Sequence, residues 1–165
     1  LDGAHTEGMN EHRKWLAENT NPRHVTGGLK EGLVGADVFI GVSSGNLLSP
    51  EDLKVMNDSA IVFAMANPTP EVDPIGAADY AAVVATGRSD FPNQINNVLA
   101  FPGLFRGLLD TGITNISTEL LRAAATGIAG VISDDELSPV FIIPGAFDTR
   151  VAESVASAVR RFAES

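Results

Sequence analysis

Three stretches of the chain are apolar almost without interruption and rich in Val and Ile: Val38-Phe39-Ile40-Gly41-Val42, Ala60-Ile61-Val62-Phe63-Ala64-Met65-Ala66 and Ala82-Val83-Val84-Ala85-Thr86. A run that does not alternate with polar residues predicts a strand covered on both faces, the usual condition of a parallel sheet. Between the first two, Ser49 offers a cap, Pro50 suits the first helical position, and Glu51 and Asp52 fall where the helix dipole favours acids, so Leu48 to Met56 is predicted to be helical. Strand, helix, strand is the pattern of a right-handed crossover in a doubly wound sheet.

Elsewhere the apolar positions follow helical spacing. Asn10 to Glu18 suits an exposed helix that stops at Asn19-Thr20-Asn21-Pro22, and Gly27 to Leu33 suits a short helix feeding the first strand. Asn96 to Leu109 is helical in pattern but interrupted by Pro102-Gly103, which predicts a kink or a restart. Ser117 to Ile132 follows, then an apolar piece from Val140 to Ile143. Asp148 to Ala163 comes last, with Val151, Val155, Val159 and Phe162 at helical spacing. No repeat, linker or low-complexity tract divides the chain, so one domain over residues 1–165 is the expectation. If the sheet begins with Val38 to Val42, that strand is left with an exposed edge.

Composition narrows the partners. With 165 residues, 44% of them hydrophobic and 19% charged, the chain is long enough and apolar enough for a packed core. A net charge of −10 repels a phosphate backbone or an anionic bilayer, so neither nucleic acid nor membrane is an expected partner. The absence of Cys removes disulfides, thiolate metal sites and a cysteine nucleophile, and fits a reducing cytoplasm. The sequence opens at Leu1 without an initiator Met, which reads as a cut end.

Ligands of open parallel sheets bind beyond the carboxyl ends of the strands, so the chemistry is sought in the three tails. These are Ser43-Ser44-Gly45, Asn67-Pro68-Thr69 and Gly87-Arg88-Ser89-Asp90. Any one of them is ordinary turn composition; three on one edge favour a site. The segment from Asp90 to Asn97 then sets four side-chain amides, Asn93, Gln94, Asn96 and Asn97, ahead of an apolar helix. Amides hold a carboxylate or carboxamide without a competing charge, and a helix start adds free N–H groups. Capping by Asn93 or Asn96 is the plainer use.

Other candidates are weaker. His5, His12 and His24 lack ligand spacing and are expected in solvent; Asp134-Asp135-Glu136 suits a solvated turn. Arg88 suits an anionic ligand or a structural salt bridge equally. The Gly103 and Gly107 spacing suits close helix packing. The sequence contains no dinucleotide-type glycine fingerprint, phosphate loop, zinc-protease motif or nucleophile elbow.

Several blocks resemble, in order, the signatures of bacterial malic enzymes. They are Gly35 to Ser43, Ile61-Val62-Phe63-Ala64-Met65-Ala66-Asn67-Pro68-Thr69-Pro70-Glu71, Thr86 to Gly103 with Ser89-Asp90-Phe91-Pro92-Asn93-Gln94-Ile95-Asn96-Asn97 at its centre, and Ile143-Pro144-Gly145-Ala146-Phe147-Asp148-Thr149-Arg150-Val151. The resemblance implies an α/β fold: a partial Rossmann-like, doubly wound parallel sheet flanked by helices, forming the C-terminal part of the domain that binds the dinucleotide. The first strands and the glycine-rich phosphate turn would precede Leu1. The family oxidises L-malate to pyruvate and carbon dioxide with NAD or NADP and a divalent Mn or Mg ion.

By similarity Gly41, Val42 and Ser43 lie along the cofactor, Asn67 near the nicotinamide and its ribose, and Asn97 at the malate carboxylate and the carboxamide. Asn67 and Asn97 thus serve substrate as well as cofactor, with Asn96 behind them. The family's general-acid Tyr, general-base Lys and carboxylate metal ligands belong to an earlier catalytic domain, and Tyr80, Lys30 and Lys54 match none of those motifs. No catalytic residue and no metal ligand is therefore expected within the chain, which is expected to be inactive alone and to work with that domain in a homodimer or tetramer. The acid that holds the adenosine ribose falls just before Leu1, with Asp2 as the alternative. Ser44-Gly45-Asn46 departs from the family's Ser-Ala-Pro, so the loop after the first strand takes its own shape. A noncatalytic nucleotide-binding or regulatory module with the same fold is the main competing reading. An amino-acid dehydrogenase is disfavoured by the Asn93 to Asn97 block.

Overall fold

The three apolar runs become strands β1 (Val38–Gly41), β2 (Ile61–Ala64) and β3 (Val83–Thr86) in a computed structural model that describes residues 8–164. The strands are parallel, in the order β1-β2-β3, and in register: Val38 lies beside Ile61, which lies beside Val83, and Gly41, Ala64 and Thr86 end level with one another. All three tails consequently leave the sheet at one edge. Beyond β3 the chain returns so that Gln94 bridges Thr86 in parallel and the Ile95 N–H donates to the Thr86 carbonyl at 2.8 Å. The amide-rich segment thus starts at that same edge.

Helices flank the sheet, as expected for this α/β class. Helix α1 (Glu11–Asn19) is capped by the Asn10 side chain, which accepts the Arg13 N–H, and α2 (Leu29–Leu33) leads into β1. The segment after Ser49 is a 3-10 helix, Pro50–Val55, in place of the α-helix its composition suggests. The Ser49 N–H is bonded by the Asp52 carboxylate, and the Met56 N–H closes on the Leu53 carbonyl, so the tighter ladder ends before a full α turn is established. A four-residue helix α3 (Pro74–Ala77), capped by Asp73, is too short to leave a periodic trace in the sequence. Leu33, Phe39, Leu48, Leu53, Met56, Val62, Val72 and Ala77 form the apolar cluster between these pieces and the sheet.

The second layer consists of α4 (Phe101–Thr111), α5 (Thr118–Ala129) and α6 (Thr149–Ala163). The interruption at Pro102 is a restart: a 3-10 turn, Asn97–Leu99, ends and Pro102 sits in the first turn of α4, where its missing N–H has no partner to lose. Leu99, Leu104, Leu120, Ala124, Val151, Val155 and Val159 make this layer's own cluster. Fully buried Leu120 contributes about 1.5–3 kcal/mol of transfer free energy. The glycines allow backbone-to-backbone approach, as their spacing suggests. A Cβ on Gly103 would lie 2.5 Å from the Ala152 carbonyl oxygen, and one on Gly107 2.6 Å from Val159 Cβ. Asp110 of α4 accepts from Arg160 of α6 at 2.7 Å and pairs with Arg106 at 2.9 Å.

One expectation needs correcting. Strand β1 is covered on one face only: Phe39 is buried, while Val38 and Ile40 are 46% and 61% exposed. Among the described residues the helical layer lies over Phe63 and Met65 of the β2 segment instead, leaving an apolar gap of about 380 Å³ between them and Ala125, Ile128 and Ile143. The outer edge of β1 pairs with no strand among the described residues. No described helix is long and apolar enough to cross a membrane.

Candidate functional site

The first two tails are held together by a side chain that pattern reading does not single out. Glu71 is wholly buried. Its Oε1 accepts the Ser43 N–H at 2.8 Å and the Ser43 hydroxyl at 3.3 Å, and its Oε2 accepts the Ala66 N–H at 3.0 Å. Backbone bonds continue the join, from Asn46 N–H to the Pro70 carbonyl and from Leu48 N–H to the Glu71 carbonyl, both at 2.9 Å. Gly41 makes room for the carboxylate, since a Cβ there would stand 2.5 Å from Glu71 Cδ. A glycine inside a strand is the signal that something approaches the backbone closely, though it does not say which residue.

Above this join lies a polar cleft of about 360 Å³ lined by Ser43, Ser44, Gly45, Asn46, Ala66, Asn67, Pro68 and Thr69. Ser43 and Asn67 therefore line one cleft, and both are exposed. Gly41 is buried in the strand beneath, and Val42 stands 76% exposed beside the loop. The Asn67-Pro68 peptide is cis. Asn97 is exposed at the start of its 3-10 turn on the third tail and does not line this cleft.

The other amides divide by role. Asn93 is buried, donating to the Val84 and Pro139 carbonyls at 3.0 and 2.8 Å and accepting the Ile142 N–H at 2.9 Å, so it ties β3 to the late loop. Asn96 caps the turn by accepting the Val98 N–H at 3.0 Å. Arg88 takes the structural option: it pairs with Asp90 at 2.8 and 2.5 Å, with Phe91 4.9 Å away. The single Tyr and the three Lys are committed away from the cleft. Lys14 pairs with Glu11, Lys30 with Asp52, and Lys54 lies over the Tyr80 ring at 5.0 Å.

His12 and His24 are exposed, while His5 and Asp2 lie outside the described residues. Within Asp134-Asp135-Glu136, the last side chain closes the turn by accepting from Ser133 and pairs with Arg150. Among the described residues no three His, Asp or Glu side chains gather as a metal site.

Burial pushes the Glu71 carboxyl upward, but the N–H groups of Ser43, Ala66 and its own residue, with the Ser43 hydroxyl, outweigh it and leave the group below its ordinary value. A carboxyl depressed in the fold stabilises it above the unfolded value of about 4.3, and that contribution is lost as pH falls through the lower folded value. Thermal melting in high salt, which screens the exposed ion pairs, is therefore expected to show a fall in Tm below about pH 4.3 that is smaller in Glu71→Gln. Parallel profiles for the two proteins would reject this assignment.

Comparison with known proteins identifies the family and agrees with the fold. The model of the family described as "Malic enzyme, NAD binding domain" matches residues 7–164. The chain is 51% identical to the NAD-dependent malic enzyme of Geobacillus stearothermophilus, the match covering 94% of this chain and 33% of that protein. It is 52% identical to the bifunctional malic/malolactic enzyme of Bacillus subtilis, covering 94% of this chain and 38% of that one. The crystal structure of the NAD-dependent malic enzyme of Thermotoga maritima superposes with a TM-score of 0.84 at 46% identity, over 92% of this chain and 40% of that one. The chain thus spans between a third and two fifths of the length of these relatives. By its matched residues and its fold, the chain belongs to the malic enzyme NAD-binding domain family.

Proposed function

We propose that the chain supplies the nicotinamide side of the dinucleotide site in a malic enzyme that converts L-malate and NAD(P)⁺ to pyruvate, carbon dioxide and NAD(P)H. The observation that carries this reading is that Ser43 and Asn67 line one cleft at the carboxyl edge of a parallel sheet. The cleft has hydroxyls and two amides but no cationic lining, and a buried carboxylate lies below it. That chemistry suits the cationic ring of an oxidised nicotinamide, its carboxamide and its ribose better than a pyrophosphate. When bound, the dinucleotide accepts hydride from malate C2.

Asn67 orients the carboxamide or ribose, Ser43 offers its hydroxyl beside it, and Gly41 and Val42 set the course of the loop. Asn97, carried to the same edge by the pairing of Gln94 with Thr86, receives the malate carboxylate. The divalent ion implied by the family has no fitting donor set among the described residues, and no step is assigned to it within this chain. The proton-transfer groups are likewise assigned to the rest of the parent enzyme.

In that full-length parent, Ser43→Ala and Asn67→Ala are expected to raise the dinucleotide KM, and Asn97→Ala the malate KM, each by about 1–2 kcal/mol in free energy. As the control, the chain alone with malate, Mn and either dinucleotide gives no growth in reduced-nicotinamide absorbance. Unchanged KM values in all three variants, or turnover by the chain alone, would reject the proposal.

A further inference from the structure

We propose that Glu71 is a positioning residue for the dinucleotide, locking the exit loops of β1 and β2 in the shape the cofactor meets without touching the cofactor. The inference rests on the reading of the Ser43 and Asn67 cleft as the dinucleotide site.

Its basis is how the donors are used. Ser43 stands 28 positions from Glu71 in sequence, yet both its N–H and its hydroxyl turn down to the one carboxylate oxygen. The second oxygen takes the N–H of Ala66, directly before Asn67. One side chain thus fixes the residue at each wall of the cleft. The packing leaves little slack: Gly45 has no room for a Cβ, which would fall 2.7 Å from both Thr69 Cβ and the Thr69 carbonyl oxygen.

Two chemical consequences follow. The Ser43 N–H is already committed, so it is not available to a ligand as a donor. With its proton directed at Glu71, the Ser43 hydroxyl presents lone pairs to the cleft, and its ligand partner is a donor, such as a ribose hydroxyl or a carboxamide NH₂. The carboxylate is also the group this position needs, because donors meet both of its oxygens. Glutamine would set an NH₂ against one of those N–H groups, leaving a buried donor unmatched. Aspartate keeps two acceptors on a shorter stem.

The test uses the full-length parent enzyme. Glu71→Gln is expected to raise the dinucleotide KM about tenfold while the malate KM moves less than twofold, and Glu71→Asp is expected to recover part of the loss. Equal rises in both KM values, an unchanged dinucleotide KM, or no recovery by Asp would overturn the proposal. Should Glu71→Gln not fold, amide hydrogen exchange on the unmodified enzyme decides. The Ser43 and Ala66 N–H groups are expected to be protected before NAD is added and unchanged after it, whereas protection that appears only with NAD would overturn the proposal. If Ser43→Ala and Asn67→Ala raise the dinucleotide KM but Glu71→Gln does not, the positioning role alone fails. If none of the three raises it, the cleft itself is misread.

Discussion

Gly41→Val is expected to lower stability by about 3–5 kcal/mol and to weaken dinucleotide binding in the parent enzyme. The new Cβ would stand 2.5 Å from Glu71 Cδ and 2.6 Å from Oε1. Elsewhere a flexible carboxylate would swing aside. Here it is wholly buried and holds the donors of Ser43 and Ala66, so movement leaves buried N–H groups unmatched at about 1–3 kcal/mol each. Overpacking by the branched side chain adds to that. Urea unfolding reads the effect as a shift in midpoint, and a loss below about 1 kcal/mol would mean that Gly41 and Glu71 do not press together as described.

Gly107→Val is expected to cost about 3 kcal/mol through the α4–α6 contact. On a free helix surface, replacing Gly gains stability, because glycine is the poorest helix former after proline. The contact reverses that sign: the added Cβ would lie 2.6 Å from Val159 Cβ, 2.8 Å from its Cγ1 and 3.1 Å from the Ala156 carbonyl oxygen. Neither helix has an easy retreat, since Gly103 presses against Ala152 one turn earlier and Asp110 joins Arg160 one turn later. Leu109→Val, on the outward face where Leu109 is 82% exposed, is the control and should change stability by less than about 0.5 kcal/mol. Equal unfolding midpoints for the two variants would exclude the close approach.

The sheet was legible in the sequence because parallel strands announce themselves by unbroken runs of Val, Ile and Ala, and the register then brings the tails together. The same signal overstated the burial of β1: an apolar run carries no information on whether a neighbouring layer is present, and Val38 and Ile40 have none above them. Local chemistry was legible where it acts within a few residues, as in the cap at Asn96 and the restart at Pro102. It faded where one side chain joins distant segments. Asn93 appears from composition to belong with the ligand-facing amides, yet it spans from Val84 to Pro139 and Ile142. Glu71 sits inside a recognisable motif, but its partner at Ser43 is set by the pairing of β1 with β2 and cannot be counted off along the chain.

The division into two apolar clusters bears on how the site would work. Ser43 and Asn67 ride on the sheet, whereas Asn97 opens the turn whose Leu99 is anchored in the helical slab. Between sheet and slab there is a loosely filled seam around Phe63, Ile95 and Ile128. On the proposed reading the site would straddle two separately packed layers, and filling that seam would be expected to shift Asn97 relative to Ser43 and Asn67 without altering any of the three.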